Sequence, residues 1–436
     1  MNLELKNYAM KFKLIGLLIL AMSSQLNAQD QYFKETLKEL TSKSYHGRGY
    51  THDGMQKAAN YLKAEFKKLG LQSLGTDYGQ THTFPINVIE DAKLVLNGKQ
   101  LEYGKDFIVK PSSQSVKMKE QRSNYILDTE AFVESFESKK QTIAFIAKDE
   151  KERKDKNIIL PVLKTKVDSI QRYYKTWANS YENHPNNVVF RFVADSLTAS
   201  LSQRQANVTE FIIKEKHFSK DLRIEDYQVQ AKWNEKFAFE NVIGAIEGKN
   251  NDSIVVISAH YDHLGQVGQA IFPGASDNGS GTAMVLSLAK YYAQHQPKYK
   301  TVFMLFGAEE AGIVGSYNYV ENPLFPLGQI KFMVNLDIMG AGEDGIQVVN
   351  GTKFRQEFDR LAGINQENGY LKTVKIRGES CNSDHCPFDQ KGVPSFFIYT
   401  LGGKGNYHNI YDTYENLDLS SSDRVRKLLL NFIDGL

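Results

Sequence analysis

Three short apolar runs in the second half of the chain each stop abruptly at polar residues. Ile254 to Ala259 ends in His260-Tyr261-Asp262, Thr301 to Phe306 ends in Gly307-Ala308-Glu309-Glu310, and Lys331 to Leu336 ends at Asp337. Runs of this length without alternation read as strands covered on both faces, the signature of a parallel sheet in an α/β protein. Between the first two lies Pro273-Gly274-Ala275-Ser276-Asp277-Asn278-Gly279-Ser280-Gly281-Thr282, a loop of small residues, followed by Val285, Leu288, Ala289 and Tyr292 at helical spacing. Open α/β sheets bind ligands outside the carboxyl ends of their strands. The pattern therefore collects His260, Glu310 and Asp337, with the Asp277 loop, at one edge.

The first half is patterned differently. Ala92 to Leu96 and Phe107 to Lys110 read as strands around Asn97-Gly98, a good turn signal. Lys148 to Lys156 is a run of charges and predicts a solvated loop. From about Asn87 to about Trp233 no run ends in the acids and histidines seen later. At the start, Lys11 and Lys13 precede the apolar run Leu14 to Met22, and Ala28-Gln29 offers a cleavage point. That is the layout of a secretory signal peptide over residues 1–28, with an apolar run too short to span a bilayer. Leu26 makes the junction imperfect, Met10 is an alternative start, and no Cys follows the run to carry a lipid. A secreted or periplasmic location follows, with no transmembrane anchor after cleavage.

Composition narrows this little. The chain has 436 residues, 41% hydrophobic and 24% charged, ordinary for a globular protein of about two domains. Its formal charge of +2 falls to zero once residues 1–28 are removed, since they carry three lysines and one glutamate. There is no basic footprint for nucleic acid. The two cysteines, Cys381 and Cys386, read either as a pair closing a very short loop in an oxidising compartment or as two free thiols.

The residue types at the strand ends point to metal chemistry. Zinc takes neutral imidazole and carboxylate oxygen, and in a two-metal site one carboxylate bridges the ions, a role for which Asp277 is the natural candidate. Singly, an acidic pair is usually a solvated helix face and a lone histidine an ordinary polar residue. The ordered series Ser258-Ala259-His260-Tyr261-Asp262, Ser276-Asp277-Asn278-Gly279-Ser280-Gly281, Glu309-Glu310-Ala311-Gly312, Asn335-Leu336-Asp337 and Tyr407-His408 resembles the co-catalytic zinc aminopeptidase family. That family includes glutamate carboxypeptidase, the glutaminyl cyclases and the transferrin-receptor ectodomain. Gly47-Arg48-Gly49, followed by a segment running to Gly70-Leu71, resembles its N-terminal helix.

The resemblance implies an α/β three-layer sandwich with a mixed, mainly parallel central sheet, formed by residues 29–86 and 237–436. It implies two Zn2+ ions, His260 and Asp337 on one, Glu310 and His408 on the other, and Asp277 between them. Glu309 matches the general base, Asp262 the acid that orients His260, and Tyr407 a donor to the oxyanion. Asp277-Asn278 is expected to be a cis peptide. His263 and His385 match no ligand and are expected to support the site, with Ser383-Asp384-His385 as an alternative pocket wall. The resemblance also implies an inserted, strand-containing domain over 87–236, where some relatives carry a protease-associated domain, of which Gln141 to Ala147 would be a core strand. The implied activity is that of a zinc metallo-aminopeptidase acting on peptides. Two alternatives stay open: a single-zinc glutaminyl cyclase, although Glu310 leads directly into the compact Ala311-Gly312-Ile313, and a non-catalytic binding ectodomain. Side-chain preference and oligomeric state are not legible.

Overall fold

The structure, a computed structural model, describes residues 29–180 and 188–436. The expected signal peptide lies outside the described residues. The three apolar runs form strands Asn250–His260, Tyr299–Phe306 and Ile330–Leu336. With Ser395–Leu401 they make the parallel centre of an 11-stranded mixed sheet, in the order Tyr299–Phe306, Asn250–His260, Ile330–Leu336, Ser395–Leu401. Antiparallel strands flank it, Gly345–Val349 on one side and Ile224–Ile246 on the other.

The unbroken apolar character of these strands has a direct cause in the packing. Val255, Ile257 and Ala259 point into one core, and Ile254 and Val256 into the other. The first core is closed by helices Gly54–Lys68, Gly281–Gln294, Arg355–Asn368 and Ser422–Asp434, the second by Val314–Glu321 and His385–Gln390. This is the three-layer arrangement the resemblance implies. The helix after the Asp277 loop buries Val285, Leu288, Ala289 and Tyr292 as expected, and its first turns are buried all round.

The expected domain limits at 86/87 and 236/237 fall inside two long strands. Gly79–Leu96 and Ile224–Ile246 pair antiparallel from Gly79 opposite Val242 to Leu96 opposite Ile224, one ribbon that leaves the large sheet and continues outward. Its outer half packs Ile89, Leu94, Leu96, Tyr227 and Val229 against a second, five-stranded sheet. Four strands of that sheet, Asn124–Ile126, Asn157–Leu160, Val188–Val193 and Thr209–Lys214, run parallel to one another, and Phe107–Val109 joins the last of them antiparallel. Parallel neighbours need crossovers, and helices Lys139–Glu152 and Asp168–Ser180 lie in two of them.

Two expectations fail here. Gln141 to Ala147 lies in helix Lys139–Glu152, not in a strand: Ser138 caps it by accepting from the Gln141 N–H, and Ser138 to Gln141 has the S-x-x-Q form of a capping box. The charge run Lys148 to Lys156 is not a solvated loop either, because it begins inside that helix. Asp149 and Arg153 are buried there, with Asp149 accepting from the Tyr125 hydroxyl at 2.7 Å.

Candidate metal centre

The parallel strands deliver their terminal residues to one edge. His260 pairs in register with Phe306, so Gly307 to Glu310 emerges beside it, and Asp337 follows the neighbouring strand. His408 arrives from the loop after Ser395–Leu401, and Asp277 from the turn before helix Gly281–Gln294. The peptide Asp277-Asn278 is cis, as the resemblance implies.

All five expected ligands converge, in two groups. His263, Asp277, Glu310 and His408 offer donor atoms within 4.8 Å of one another, and so do His260, Glu309 and Asp337. Asp277 faces both: its Oδ1 lies 3.3 Å from His260 Nε2 and its Oδ2 3.1 Å from His408 Nε2. His408 Nε2 is also 2.9 Å from Glu310, and His260 Nε2 is 3.4 Å from Asp337.

The proton inventory fits cations at these positions. Nδ1 of His408 lies 3.1 Å from the Ala199 carbonyl, and Nδ1 of His260 lies 3.2 Å from the Asp262 carbonyl. A carbonyl only accepts, so Nδ1 carries the proton and the neutral ring keeps its lone pair on Nε2. That lone pair then meets carboxylate oxygens, which also only accept. His408 Nε2 and Asp337 Oδ1 are buried with no hydrogen-bond partner. As a purely protein cluster the site forces protons onto the rings: burial opposes this, but Glu310 and Asp277 push His408 up to about 11, and Glu309 and Asp337 hold His260 well above its ordinary value. Imidazole nitrogen and carboxylate oxygen are zinc donors, and the residues present fit that group.

The supporting residues are mostly remote in sequence. Asp262 touches His260 through its backbone carbonyl, while its carboxylate accepts from Tyr50 Oη at 2.8 Å and from the Glu309 and Glu310 N–H groups. It therefore shapes the acidic turn as well as the imidazole. Ser383 donates to Asp337 at 2.7 Å and accepts from Asn335, which accepts from Ser258. Asp412 accepts from the Ser276 and Asp277 N–H groups. Arg48 is fully buried and donates to the carbonyls of Leu40, Tyr261, Pro273 and Gly274, tying the His260 strand end to the Asp277 loop. Gly274, at φ +58°, leaves no room for a Cβ against the His263 ring.

Five further residues refine the expectations. His263 does more than stand nearby, since its Nδ1 is 2.5 Å from Glu310 and its Nε2 is buried without a partner. His385 donates from Nε2 to Ser380 and is held down to about 4 by burial, a neutral ring inside the loop closed by the Cys381–Cys386 disulfide. Asp384 is buried beside Ser316, which donates to it at 2.6 Å, and burial raises it to about 7. Around Glu309, burial outweighs the opposing His260, and with Asp384, Glu310 and Asp337 it keeps the carboxyl well above its ordinary value. Tyr407 is half exposed, its ring stacked on that of His408 at 3.8 Å between centroids.

A parallel-centred α/β sheet with a paired carboxylate–imidazole centre at its carboxyl edge defines a class of metal-site proteins. Residues 241–433, a little under half of the chain, match the model of peptidase family M28. In sequence it is 31% identical over 202 residues to aminopeptidase YwaD of Bacillus subtilis, a match covering 43% of this chain and 42% of that protein. It is 32% identical over 208 residues to leupeptin-inactivating enzyme 1 of Streptomyces exfoliatus, covering 42% and 45%. The chain thus spans less than half the length of these curated relatives. In structure it is similar to BSAP, a zinc aminopeptidase from Bacillus subtilis, with TM-score 0.64 and 19% identity over 92% of this chain and 94% of that one. It is also similar to a peptidase M28 precursor from Shewanella amazonensis, with TM-score 0.60 and 13% identity over 94% and 96%. These likenesses extend the fold match across the second sheet.

Proposed function

We propose that this chain is a zinc-dependent metallo-aminopeptidase, secreted or periplasmic, that hydrolyses the N-terminal bond of peptides. The observation that carries the reading is Asp277, whose two oxygens face two separate imidazole–carboxylate groups, the arrangement a bridging ligand needs. His260 and Asp337 would hold one zinc, Glu310 and His408 the other, and Asp277 both. Bound zinc supplies Lewis acidity toward water and the scissile carbonyl. Glu309 is the general base: its carboxylate stands beside the ligands, 3.8 Å from His260 Nε2, where it takes the proton of the attacking water and returns it to the leaving amine. Tyr407, at the mouth of the site, donates to the developing oxyanion. Among the described residues no helix is long and apolar enough to cross a membrane.

The test is metal analysis of the purified protein with a panel of aminoacyl and dipeptide substrates. Two zinc ions per chain, activity lost to chelators and restored by zinc, and release of N-terminal residues are expected. A single tight zinc with cyclisation of N-terminal glutamine as the main activity would replace this reading with the cyclase one.

A further inference from the structure

The segment between strands Val188–Val193 and Thr209–Lys214 of the second sheet turns back onto the metal centre. The Ala199 N–H donates to the His408 carbonyl at 2.9 Å, and the Ala199 carbonyl accepts from His408 Nδ1 at 3.1 Å, so one residue grips both backbone and ring of the ligand. Four residues on, Gln203 Nε2 donates to the Ala311 carbonyl at 2.6 Å, next to Glu310. The Ser202 carbonyl accepts from the Asn87 N–H and anchors the segment to the ribbon, while Leu201 packs against the core of the large sheet.

We propose that residues 199–203 are a positioning strap through which the inserted unit sets the affinity of one metal site, the one served by Glu310 and His408. This rests on the two-metal reading above. Three properties support the assignment. Ala199 fixes the tautomer that presents the Nε2 lone pair, as partners beyond a metal's ligands do when they fix ring orientation. Both grips bear on ligands of the same group. The His260–Asp337 group takes its support elsewhere, from Asp262 and Ser383. Losing such partners typically costs about 10–100-fold in metal affinity.

The experiment titrates zinc into the chelator-stripped full chain. Gln203→Glu keeps the shape of an exposed side chain but cannot donate to Ala311, and Ala199→Pro removes the N–H that holds His408. Each is expected to weaken one of the two zinc equivalents by about tenfold, leave the other unchanged, and leave the thermal midpoint near that of the parent. In a His408→Ala background, where the His260–Asp337 group holds the one remaining zinc, neither substitution should have a further effect. Equal loss at both equivalents, no loss at either, or a persisting effect in the His408→Ala background overturns the proposal. A parent protein that takes up a single zinc would overturn the two-metal reading instead, and the effect of Gln203→Glu on that zinc would still decide the strap.

Discussion

Arg48 occupies the place where a single side chain governs most of the site's geometry. Its guanidinium satisfies four buried carbonyls, and burial lowers its pKa to about 10 although Asp412, Asp262 and Asp277 oppose the shift. Arg48→Met preserves the bulk and leaves those acceptors unpaired, at about 1–3 kcal/mol each. A loss of several kcal/mol in urea unfolding is expected, and an unchanged midpoint would show that water takes the place of the guanidinium. Glu309→Gln tests the chemistry instead. The amide keeps the shape and accepts no proton, so turnover should fall about 10²–10⁴-fold with zinc content unchanged, and near-parental turnover would remove Glu309 from the base role. The five proposed ligands were legible because each ends an apolar run or stands in a loop of small residues. Arg48, Tyr50 and Asp412 were not legible as partners of the site, since they reach it only through the fold. His263 supports the site as expected, but its partner Glu310 is set by the fold and does not show in the sequence.

Among elements, the large sheet was readable and the inserted unit was not, for a physical reason. The central strands are covered on both faces, so their apolar runs are unbroken. Helix Lys139–Glu152 instead shows one half-covered face, and its Ile143-Ala144-Phe145-Ile146 stretch mimics a strand. The Ser138 to Gln141 capping box was the better signal. In the same unit Asp106 joins the start of strand Phe107–Val109 to the turn after Thr209–Lys214, accepting from Lys216 at 2.8 Å and His217 at 2.9 Å. Burial pushes this carboxyl up, yet those two donors hold it well below the usual range. A depressed carboxylate stabilises the fold fully above its unfolded value of about 3.9 and loses that contribution as pH falls toward its folded value. Asp106→Asn should therefore be less stable than the parent at pH 7, and the gap should narrow between about pH 4 and pH 2. A gap constant down to pH 2, followed by Trp177 fluorescence, would show that ionisation of Asp106 is not what holds the turn.

At the scale of the molecule, ribbon and strap make the second sheet an extension of the first, and Asn87 stands where they meet. Its side chain is buried, donates to the carbonyls of Pro111 and Ser113, accepts from Gln205, and its backbone N–H donates to Ser202 on the strap. Groups in one hydrogen-bonded network couple energetically, whereas distant sites add independently. A rigid joint of this kind transmits unfolding from one sheet to the other. Trp177 lies in a helix of the second unit, while zinc content reports on the edge of the large sheet, so the two probes can be compared in one denaturant series. In the parent protein the two curves should coincide. Asn87→Ala leaves two buried carbonyls without their donor, at about 1–3 kcal/mol each, and should pull the curves apart, with Trp177 reporting the earlier transition. Separate curves in the parent would mean that the sheets unfold independently despite the ribbon. Coincident curves in Asn87→Ala would mean that the ribbon alone couples them and that the strap follows passively.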